Sequence, residues 1–249
     1  MWELYDALIS KIPDDIEVTE FLSGSSMTYV CAGDAAGVCE TVGGGLYQAP
    51  MRSSSGISLK ELAGYAKSWN YIEASLGLAA INCFYNAPGR LSEAGCRIAA
   101  PSEHPYRNLH RRLERSSAAL CGHMPYFERA LPQSCEISVI TDRDEAMGDY
   151  PAGAVEYILS GKAFVLADGG SIIQKRLERL LRLSRSVCLL GLGIPLWEGL
   201  LDFGVLEIHG FVVTDTAVLR ALIAAGAGPE ALLPTFSAVT LTAGKGGAE

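Results

Sequence analysis

The chain has 249 residues and a mass of 26.5 kDa, a size that suits one large domain or two small ones. Hydrophobic residues make up 49% of the sequence and charged residues 19%, which excludes a disordered chain and a fibrous one. The net charge of −8 disfavours a protein that binds nucleic acid through an overall excess of positive charge.

The first 90 residues have the sequence pattern of an α+β domain. Residues 2–12 carry apolar side chains at helical spacing, which predicts an amphipathic helix. Residues 16–33 and 37–42 are rich in β-forming side chains and are interrupted by glycine, a pattern that predicts a small antiparallel meander.

Two further helices are predicted in this part of the chain. Ser58 and Glu61 have the spacing of a capping box, so we expect a helix to begin directly after Ser58. A second helix is expected from Tyr71, with Ser68 or Asn70 as its N-terminal cap. These helices complete the α+β pattern.

A break in the pattern separates the two halves of the chain. Residues 87–105 lack both helical and alternating periodicity and contain three of the eleven prolines, which is typical of a linker or a long crossing loop. We therefore assign residues 1–90 to a first domain, residues 91–105 to a linker and residues 106–249 to a second domain.

The second domain alternates short apolar strands with helices. Strands are predicted at residues 117–121, 136–141, 163–168, 186–191 and 205–215. Helices are predicted at residues 106–115, 125–131, 152–160, 172–184 and 216–226. The alternation is typical of βαβ units, so we predict the α/β fold class, with an α+β domain followed by a Rossmann-like domain whose parallel sheet is covered on both faces.

The sequence favours a cytoplasmic protein. Its N-terminus is acidic and has no basic segment followed by an apolar one, so we expect no secretory signal. Residues 187–205 are the most apolar stretch, but glycine, proline and acidic side chains interrupt them, so we expect no membrane span. The seven cysteines are an odd number without C-x-x-C spacing, which favours reduced thiols.

Parallel sheets of this kind bind ligands outside the carboxyl ends of their strands, which directs attention to four loops. In the first loop, Gly122 allows a tight turn and Pro125 suits the start of a helix, where free N–H groups favour an anion. His123 lies between them and is either a functional group or a structural cap. A structural zinc site at Cys121 and His123 is not expected, because no second pair of ligands stands at zinc spacing.

The second loop carries the acid expected of a nucleotide-binding fold. Asp142 follows Gly122 by 20 residues, about the spacing at which dinucleotide-binding folds place the carboxylate that binds ribose hydroxyls. An aspartate that caps the end of a strand in a fold without nucleotide is the commoner case, and both interpretations stay open. Asp149, further along the same loop, is a second candidate.

The third and fourth loops are rich in glycine. The candidate residues of the third loop are Asp168, Gly169, Gly170 and Ser171. They are similar to an anion-binding nest of backbone N–H groups with one hydroxyl. The candidate residues of the fourth loop are Gly191, Gly193 and Pro195. The apolar side chains of that loop favour backbone or shape contacts with a ligand.

Charged residues outside the loops are interpreted by their helical spacing. Residues 107–115 and 175–185 each hold a basic run at that spacing, which predicts solvated helix faces. Glu73 and Asn70 share a polar face of a helix that is otherwise apolar. We expect this face to line a cleft between the two halves.

Four segments resemble a known family of proteins without a characterised activity. Residues 68–82 resemble the signature helix of the family described as "putative heavy-metal chelation". Residues 122–125 are similar to its Gly-His/Tyr-Phe-Pro loop. Residues 191–205 and 210–215 resemble its Gly-Pro-Ser-Thr-Pro loop and the run that follows. The resemblance covers nearly the whole chain in the same order.

The resemblance implies an N-terminal domain like that of enolase, a C-terminal Rossmann-like domain and a ligand site in the cleft between them. It also implies a role in heavy-metal chelation or in handling a metal-binding small molecule. The chain departs from the family pattern at residues 174–176 and 192–194, where polar side chains of two loops are replaced. We therefore expect backbone N–H groups, or a less polar ligand, at those two loops.

The leading hypothesis is a protein that binds or processes a ligand between its two domains. The ligand is a heavy metal, in the form of a transition-metal ion, or a small molecule that chelates a metal. His123 is expected to be a metal ligand or proton-transfer group, and Glu73 a carboxylate ligand or base. Asn70 and Asn82 are expected to orient the ligand. The glycine loops at residues 169–171 and 191–195 are expected to donate backbone hydrogen bonds, with the other loop residues lining the site.

Two other functions stay open. A transferase or oxidoreductase would hold a nucleotide-type cofactor, such as a nucleotide, NAD or S-adenosylmethionine, on Gly122 and Asp142, with Asp142 among the catalytic candidates. A partner-binding scaffold would bind no small molecule. We expect no nucleic-acid or membrane partner, and we expect a homodimer only because homodimers are frequent.

Overall fold

The N-terminal domain is built on a three-stranded antiparallel sheet. The structure is a computed structural model that describes residues 2–46, 56–100, 103, 106–141 and 147–242. The strands of the first sheet, in the order β1-β2-β3, are β1 (Glu20–Ser23), β2 (Met27–Ala32) and β3 (Ala35–Glu40). The helices of this domain are α1 (Glu3–Ser10), α2 (Leu59–Gly64), α3 (Tyr71–Tyr85) and α4 (Pro88–Glu93).

Side chains predicted as caps begin two of these helices. The hydroxyl oxygen of Ser58 accepts a hydrogen bond from the Glu61 N–H (3.1 Å), and Asn70 Oδ1 accepts one from the Ile72 N–H (3.1 Å). These bonds satisfy backbone donors that the first turn of a helix leaves without a partner. The predicted starts of α2 and α3 are therefore confirmed.

Helix α3 is buried almost all round, which its uniformly apolar sequence requires. Glycine allows two elements to approach it closely. A Cβ atom at Gly37 of β3 would lie 2.0 Å from the backbone nitrogen of Cys83, and one at Gly77 would lie 1.9 Å from that of Ala66. Strand β2 is buried along its whole length, because one face packs on α3 and the other on the C-terminal domain.

The C-terminal domain is built on a six-stranded sheet with the order β5-β4-β6-β7-β8-β9. Its strands are β4 (Ser117–Cys121), β5 (Glu136–Ile140), β6 (Phe164–Ala167), β7 (Val187–Leu190), β8 (Glu207–Val213) and β9 (Phe236–Thr242). All neighbours are parallel except β8 and β9. Its helices are α5 (Arg107–Leu113), α6 (Pro125–Glu128), α7 (Val155–Leu159), α8 (Gly169–Ile173), α9 (Leu177–Leu183), α10 (Gly199–Asp202), α11 (Thr216–Ala224) and α12 (Pro229–Leu232).

The predicted fold class, with a small antiparallel sheet before a mostly parallel one, is confirmed. Several elements differ from the prediction. Residues 88–93 form α4 inside the segment expected to be irregular, because Pro88 at the first helical turn needs no N–H partner there. Strand β9, for which no prediction was made, closes one edge of the second sheet in antiparallel pairing with β8. Across the described residues, no helix is long and apolar enough to cross a membrane.

The long helix predicted over residues 172–184 is instead two helices. Helix α8 ends at Ile173 and α9 begins at Leu177. Between them Lys175 adopts a φ of 59°, the left-handed conformation that ends a run of helical hydrogen bonds. The chain therefore turns at residues 174–176, and these side chains face cavities rather than forming part of one solvated helix face.

Asn86, the residue that follows α3, joins the two domains by hydrogen bonds. Its side-chain amide donates to the carbonyl oxygens of Ile194 (2.9 Å) and Phe211 (3.2 Å), and its Oδ1 accepts from the Leu196 N–H (2.8 Å). Asn86 itself is 3% exposed, so bulk water does not compete for these bonds in the folded protein. The loop after β7 is thereby fixed against the N-terminal domain.

We expect Asn86→Ala to lower the free energy of unfolding by about 2 kcal/mol or more, because it leaves buried carbonyl and N–H groups without partners. Urea denaturation followed by circular dichroism measures the change. Asn108→Ala, at an exposed position of α5, is the matched control and is expected to change stability by less than about 0.5 kcal/mol. Equal stability of the two variants would contradict the role assigned to Asn86.

Candidate functional site

A cavity of about 360 Å³ lies between the two domains. The N-terminal domain contributes Ser25, Ser26, Glu40, Thr41 and Val42. The C-terminal domain contributes Cys121, Gly122, His123, Pro125, Tyr126, Thr141, Asp168, Gly170, Gln174, Arg176 and Pro229. We call this cavity the cleft. It lies at the carboxyl ends of β4, β5 and β6, where the strand order reverses direction, and this is the usual ligand site of an open parallel sheet.

Asp168 is the buried acid of the cleft. It follows β6 and caps α8, since its Oδ1 accepts a hydrogen bond from the Ser171 N–H (3.2 Å). Burial raises the pKa of Asp168, although a hydrogen bond from Glu40 and the positive charge of Arg176 partly oppose that rise. The net effect favours the protonated form of the Asp168 carboxyl group more than in a solvated aspartate.

Glu40 ends β3 and brings a second carboxyl group to Asp168 from the other domain. A hydrogen bond between two carboxyl groups needs a proton on one of them, because two ionised carboxylates repel each other. A positive group that approaches the pair favours the ionised form of both carboxyl groups. Arg176, from the turn between α8 and α9, supplies the cationic side of the same cavity.

His123 is held between two carboxylates. Its Nδ1 lies 3.1 Å from Glu128 Oε1, and its Nε2 lies 2.8 Å from Asp149 Oδ2. Burial lowers the pKa of His123, but the hydrogen bonds to Asp149 and Glu128 outweigh that effect and raise the pKa above its ordinary value. Both ring nitrogens therefore already have carboxylate partners, and this arrangement favours the protonated imidazole.

We expect the pKa of His123 to exceed 6.5 and to fall in Asp149→Asn, because that variant replaces a carboxylate by a neutral acceptor. Proton NMR titration measures the pKa, with His123→Gln to assign the signal. Since the pKa in the folded protein is raised, the network adds stability that is fully present below pH 6.5 and is lost as pH rises through the folded-state pKa. An unchanged pKa in Asp149→Asn would contradict this geometry.

The thiol of Cys121 also borders the cleft, at the end of β4. Burial raises its pKa to about 12, which the nearby positive charge of Arg176 only partly opposes. The group is therefore a neutral thiol at physiological pH, whereas a metal ligand or nucleophile needs the thiolate. Among the residues that the structure describes, no group of three or more His, Cys, Asp or Glu side chains is arranged to hold a metal ion.

Five of the residues predicted from the sequence line the cleft: Gly122, His123, Pro125, Asp168 and Gly170. Glu73 does not join them. It faces a different surface depression beside Ser68, whose hydroxyl donates to Glu73 Oε2 (2.6 Å). Asn70 is occupied as the cap of α3. The polar face at the start of α3 therefore satisfies its own helix end, and the expected pairing of Glu73 with His123 is not formed.

The other predicted binding residues pack the interior. Asn82 is fully buried and its amide donates to the Val38 carbonyl (2.8 Å), so it ties α3 to β3 and does not reach the cleft. The Ser171 hydroxyl donates to the Asp168 carbonyl (2.6 Å), and Asp168 already caps the N–H of Ser171. The expected anion nest is thus filled by the chain itself. Asp142 lies outside the described residues.

The two glycine loops allow close approach of backbones. A Cβ atom at Gly169 would lie 2.7 Å from the carbonyl oxygen of Gly193, and one at Gly193 would lie 2.9 Å from Cys39 Cβ of the other domain. Gly191 has a φ of 124° and, like Pro195, is buried outside the cleft lining. The expected backbone donation to a ligand is therefore replaced by packing between the domains.

Glu40 and Arg176 are the charged residues of the cleft that sequence reasoning missed. Glu40 ends a strand of the first domain, and nothing in the sequence indicates that this strand end meets β6 of the second. The helical spacing of its basic neighbours predicts a solvated helix face for Arg176. The left-handed turn at Lys175 ends the helical spacing, so Arg176 points into the cleft instead of lying on that helix face. A lysine in the sequence gives no signal for such a turn.

Two family models match the chain, and both carry the description "Putative heavy-metal chelation". The model DUF4213 matches residues 5–85, and the model DUF364 matches residues 108–242. Each match falls on one of the two sheet-containing parts of the chain. A search among curated proteins finds no match.

Solved structures share the fold over nearly the full length. A protein of unknown function from the DUF364 family of Desulfitobacterium hafniense DCB-2 is 32% identical, with a TM-score of 0.82, over 97% of this chain and 98% of that chain. A second DUF364 protein of unknown function, from Pyrococcus horikoshii, is 18% identical, with a TM-score of 0.76, over 96% of this chain and 98% of that chain. At that lower identity the second likeness concerns the fold alone.

Proposed function

The chain belongs to the family described as "Putative heavy-metal chelation", and from this premise we propose that its cleft binds a small metal-chelating molecule, free or with its metal. The observation that carries the proposal is the pair of carboxyl groups, Glu40 and Asp168, that meets across the two domains beside Arg176. The metal is cargo in this proposal, and the chelator supplies most of its ligands.

The donor groups of the cleft suit a chelate better than a bare ion. A metal needs an imidazole nitrogen with a free electron pair, and both nitrogens of His123 lie against carboxylates. Transition-metal sites also favour thiolates, and burial keeps the thiol of Cys121 protonated. A ligand that brings its own nitrogen and oxygen donors avoids both requirements.

The charges of the cleft match a molecule with amino and carboxylate groups. Arg176 offers a planar guanidinium that suits a carboxylate. Glu40 and Asp168 suit an ammonium group or a positively charged metal centre. The hydroxyls of Ser25, Ser26, Thr41 and Thr141 add neutral donors and acceptors around the cavity. A volume of about 360 Å³ is in the range that small-molecule sites have.

The nucleotide-type cofactor is the second candidate, and the geometry beside Gly122 disfavours it. The N–H of Met124, at the start of α6, donates to Glu128 Oε1 (2.5 Å), so a carboxylate occupies the place where a phosphate would bind. The same carboxylate contacts His123. A phosphate group there would face two negative side chains, Glu128 and Asp149.

A thermal-shift panel tests the proposal. Its arms are nickel(II) alone, histidine alone, the preformed nickel–histidine chelate, and a set of nucleotides with NAD and S-adenosylmethionine. Ligand at 100 times its Kd adds about 2.7 kcal/mol of stability, which raises Tm by several degrees in a chain of this size. We expect this rise with histidine or its chelate, and no rise with nickel alone.

Variants assign the response to the cleft. Arg176→Ala is expected to abolish the rise, whereas Arg185→Ala, at an exposed position outside the cleft, is expected to keep it. Stabilisation by nickel alone would contradict the proposal in favour of a bare-metal site. Stabilisation by nucleotides alone would favour the second candidate, and no response in any arm would favour the partner-binding scaffold.

A further inference from the structure

A second cavity, of about 370 Å³, lies on another side of the junction between the domains. It is lined by Trp2 and Tyr5 of the α1 region, Trp69 before α3, Lys175 at the turn, and Glu178, Arg179 and Arg182 of α9. We call it the tryptophan cavity. Residues 174–176 separate it from the cleft, because Gln174 and Arg176 line the cleft while Lys175 lines the tryptophan cavity.

One wall of the tryptophan cavity is aromatic. The rings of Trp2 and Tyr5 meet edge to face at a centroid distance of 5.3 Å, and those of Trp2 and Trp69 at 6.0 Å. The Tyr5 hydroxyl donates to the Ile172 carbonyl (2.6 Å), which fixes its ring. Burying an indole ring is strongly favourable, but Trp69 remains 45% exposed. The wall therefore offers a preformed surface for a flat apolar group.

The opposite wall is positively charged. Three cationic side chains and one acid, Glu178, line the cavity. Arg179 is paired with Glu156. Lys175 Nζ lies 5.8 Å from the Trp69 ring centroid and donates to the carbonyl oxygens of Ser68 and Ile173.

Lys175 and Arg182 differ in the partners that their charged groups have. Burial lowers the pKa of Lys175 to about 8, which indicates an ammonium group short of negative partners. Arg182 has no hydrogen-bond or ion-pair partner anywhere in the described ranges of the chain. Its guanidinium is therefore available to a planar anion, which it can bind through two parallel hydrogen bonds.

We propose that the tryptophan cavity binds a small aromatic anion, with its ring against Trp2 and Trp69 and its carboxylate on Arg182. This ligand is distinct from the chelator proposed for the cleft, because the tryptophan cavity combines aromatic faces with excess positive charge and lacks the carboxyl pair. An aromatic carboxylate can contact both walls at once, its ring on the aromatic wall and its charge on the cationic wall. A neutral aromatic molecule satisfies only the first, and a small inorganic anion only the second.

Calorimetric titration with 1-naphthoate tests this assignment, and 1-naphthamide, which has the same ring without the charge, is the matched ligand control. We expect 1-naphthoate to bind the full chain about tenfold more tightly than the amide, the scale of one charge-assisted bidentate contact. Arg182→Ala is expected to remove that difference. Arg185→Ala, at an exposed position after α9 that does not line the cavity, is expected to retain it. Trp69→Ala is expected to weaken the binding of both ligands.

Three results would overturn the proposal. The first is equal affinity of the wild-type chain for the two ligands, or no binding of either at millimolar concentration. The second is an equal loss of 1-naphthoate affinity in Arg182→Ala and Arg185→Ala. The third is loss of 1-naphthoate affinity in Arg176→Ala with retention in Arg182→Ala, which would place the anion in the cleft.

Discussion

Asp168→Asn is expected to weaken binding of the nickel–histidine chelate about tenfold and to remove most of its dependence on pH. The amide of asparagine keeps the cap of α8, because asparagine is as good an N-terminal cap as aspartate. The variant therefore removes the charge while preserving the helix end. Calorimetry in two buffers that differ in ionisation enthalpy measures both the affinity and the number of protons released.

The direction of the pH dependence follows from the raised pKa of Asp168. At a pH where the free protein holds a proton on the carboxyl pair, a positively charged ligand favours the ionised form, so we expect binding to release a proton. Affinity in the wild-type protein is therefore expected to increase as pH rises through the pKa of Asp168. In Asp168→Asn we expect no proton release from the pair. The control is Asp14→Asn, whose carboxylate is exposed and paired with Lys60 outside the cleft.

The stability of Asp168→Asn shows whether a loss of chelate affinity comes from the removed carboxyl group or from misfolding of the variant. Because burial raises the folded-state pKa of Asp168, wild-type stability falls as pH rises from the unfolded-state value to the folded-state value. Asp168→Asn lacks this loss and is expected to be at least as stable as wild type at neutral pH. Unchanged chelate affinity and unchanged proton release in this well-folded variant would contradict the role assigned to the pair.

Gly37→Ala is expected to destabilise the protein by about 3 kcal/mol or more, the upper range for overpacking a close contact. The added methyl group would lie 2.0 Å from the Cys83 nitrogen and 2.2 Å from the Ala79 carbonyl oxygen, which are backbone atoms of α3. Strand β3 would have to move away from α3, and Glu40 at its end would move with it. Urea denaturation and chelate titration measure the two consequences.

The matched control is Gly64→Ala. Position 64 is also glycine within an element of the N-terminal domain, but a Cβ atom there meets no atom within 4 Å. Alanine is favoured over glycine in a helix by about 1 kcal/mol, so we expect this variant to be as stable as wild type or more so. If Gly37→Ala unfolded at the same urea concentration as Gly64→Ala, the close packing of β3 on α3 would be wrong.

The sequence was sufficient for most of the fold because local patterns encode it. Alternating strands and helices predicted the parallel sheet, and a mostly apolar segment after residue 70 predicted helix α3, with Ser68 or Asn70 as its cap. The same local patterns located Gly122, His123 and Asp168 at strand ends, where the topology of parallel sheets gathers ligand-binding groups. This part of the site followed from topology alone.

The remainder of the site depends on how the domains pack, which local patterns do not encode. Glu40 reaches Asp168 only because β3 packs on the C-terminal domain, and the two residues are far apart in the sequence. Glu73 carries an equally suitable side chain, but the start of α3 uses it in a hydrogen bond from Ser68. Residue type therefore identified candidates, and tertiary packing decided between them.

Anomalous X-ray diffraction from crystals grown with the nickel–histidine chelate is the most direct test of the claim that the metal is bound through a small molecule. We expect a nickel peak inside the cleft, with histidine as its ligand, a carboxylate on Arg176 and an amino group toward Asp168. A nickel peak coordinated directly by His123 or Cys121 without histidine, or a chelate bound only outside the cleft, would contradict that claim.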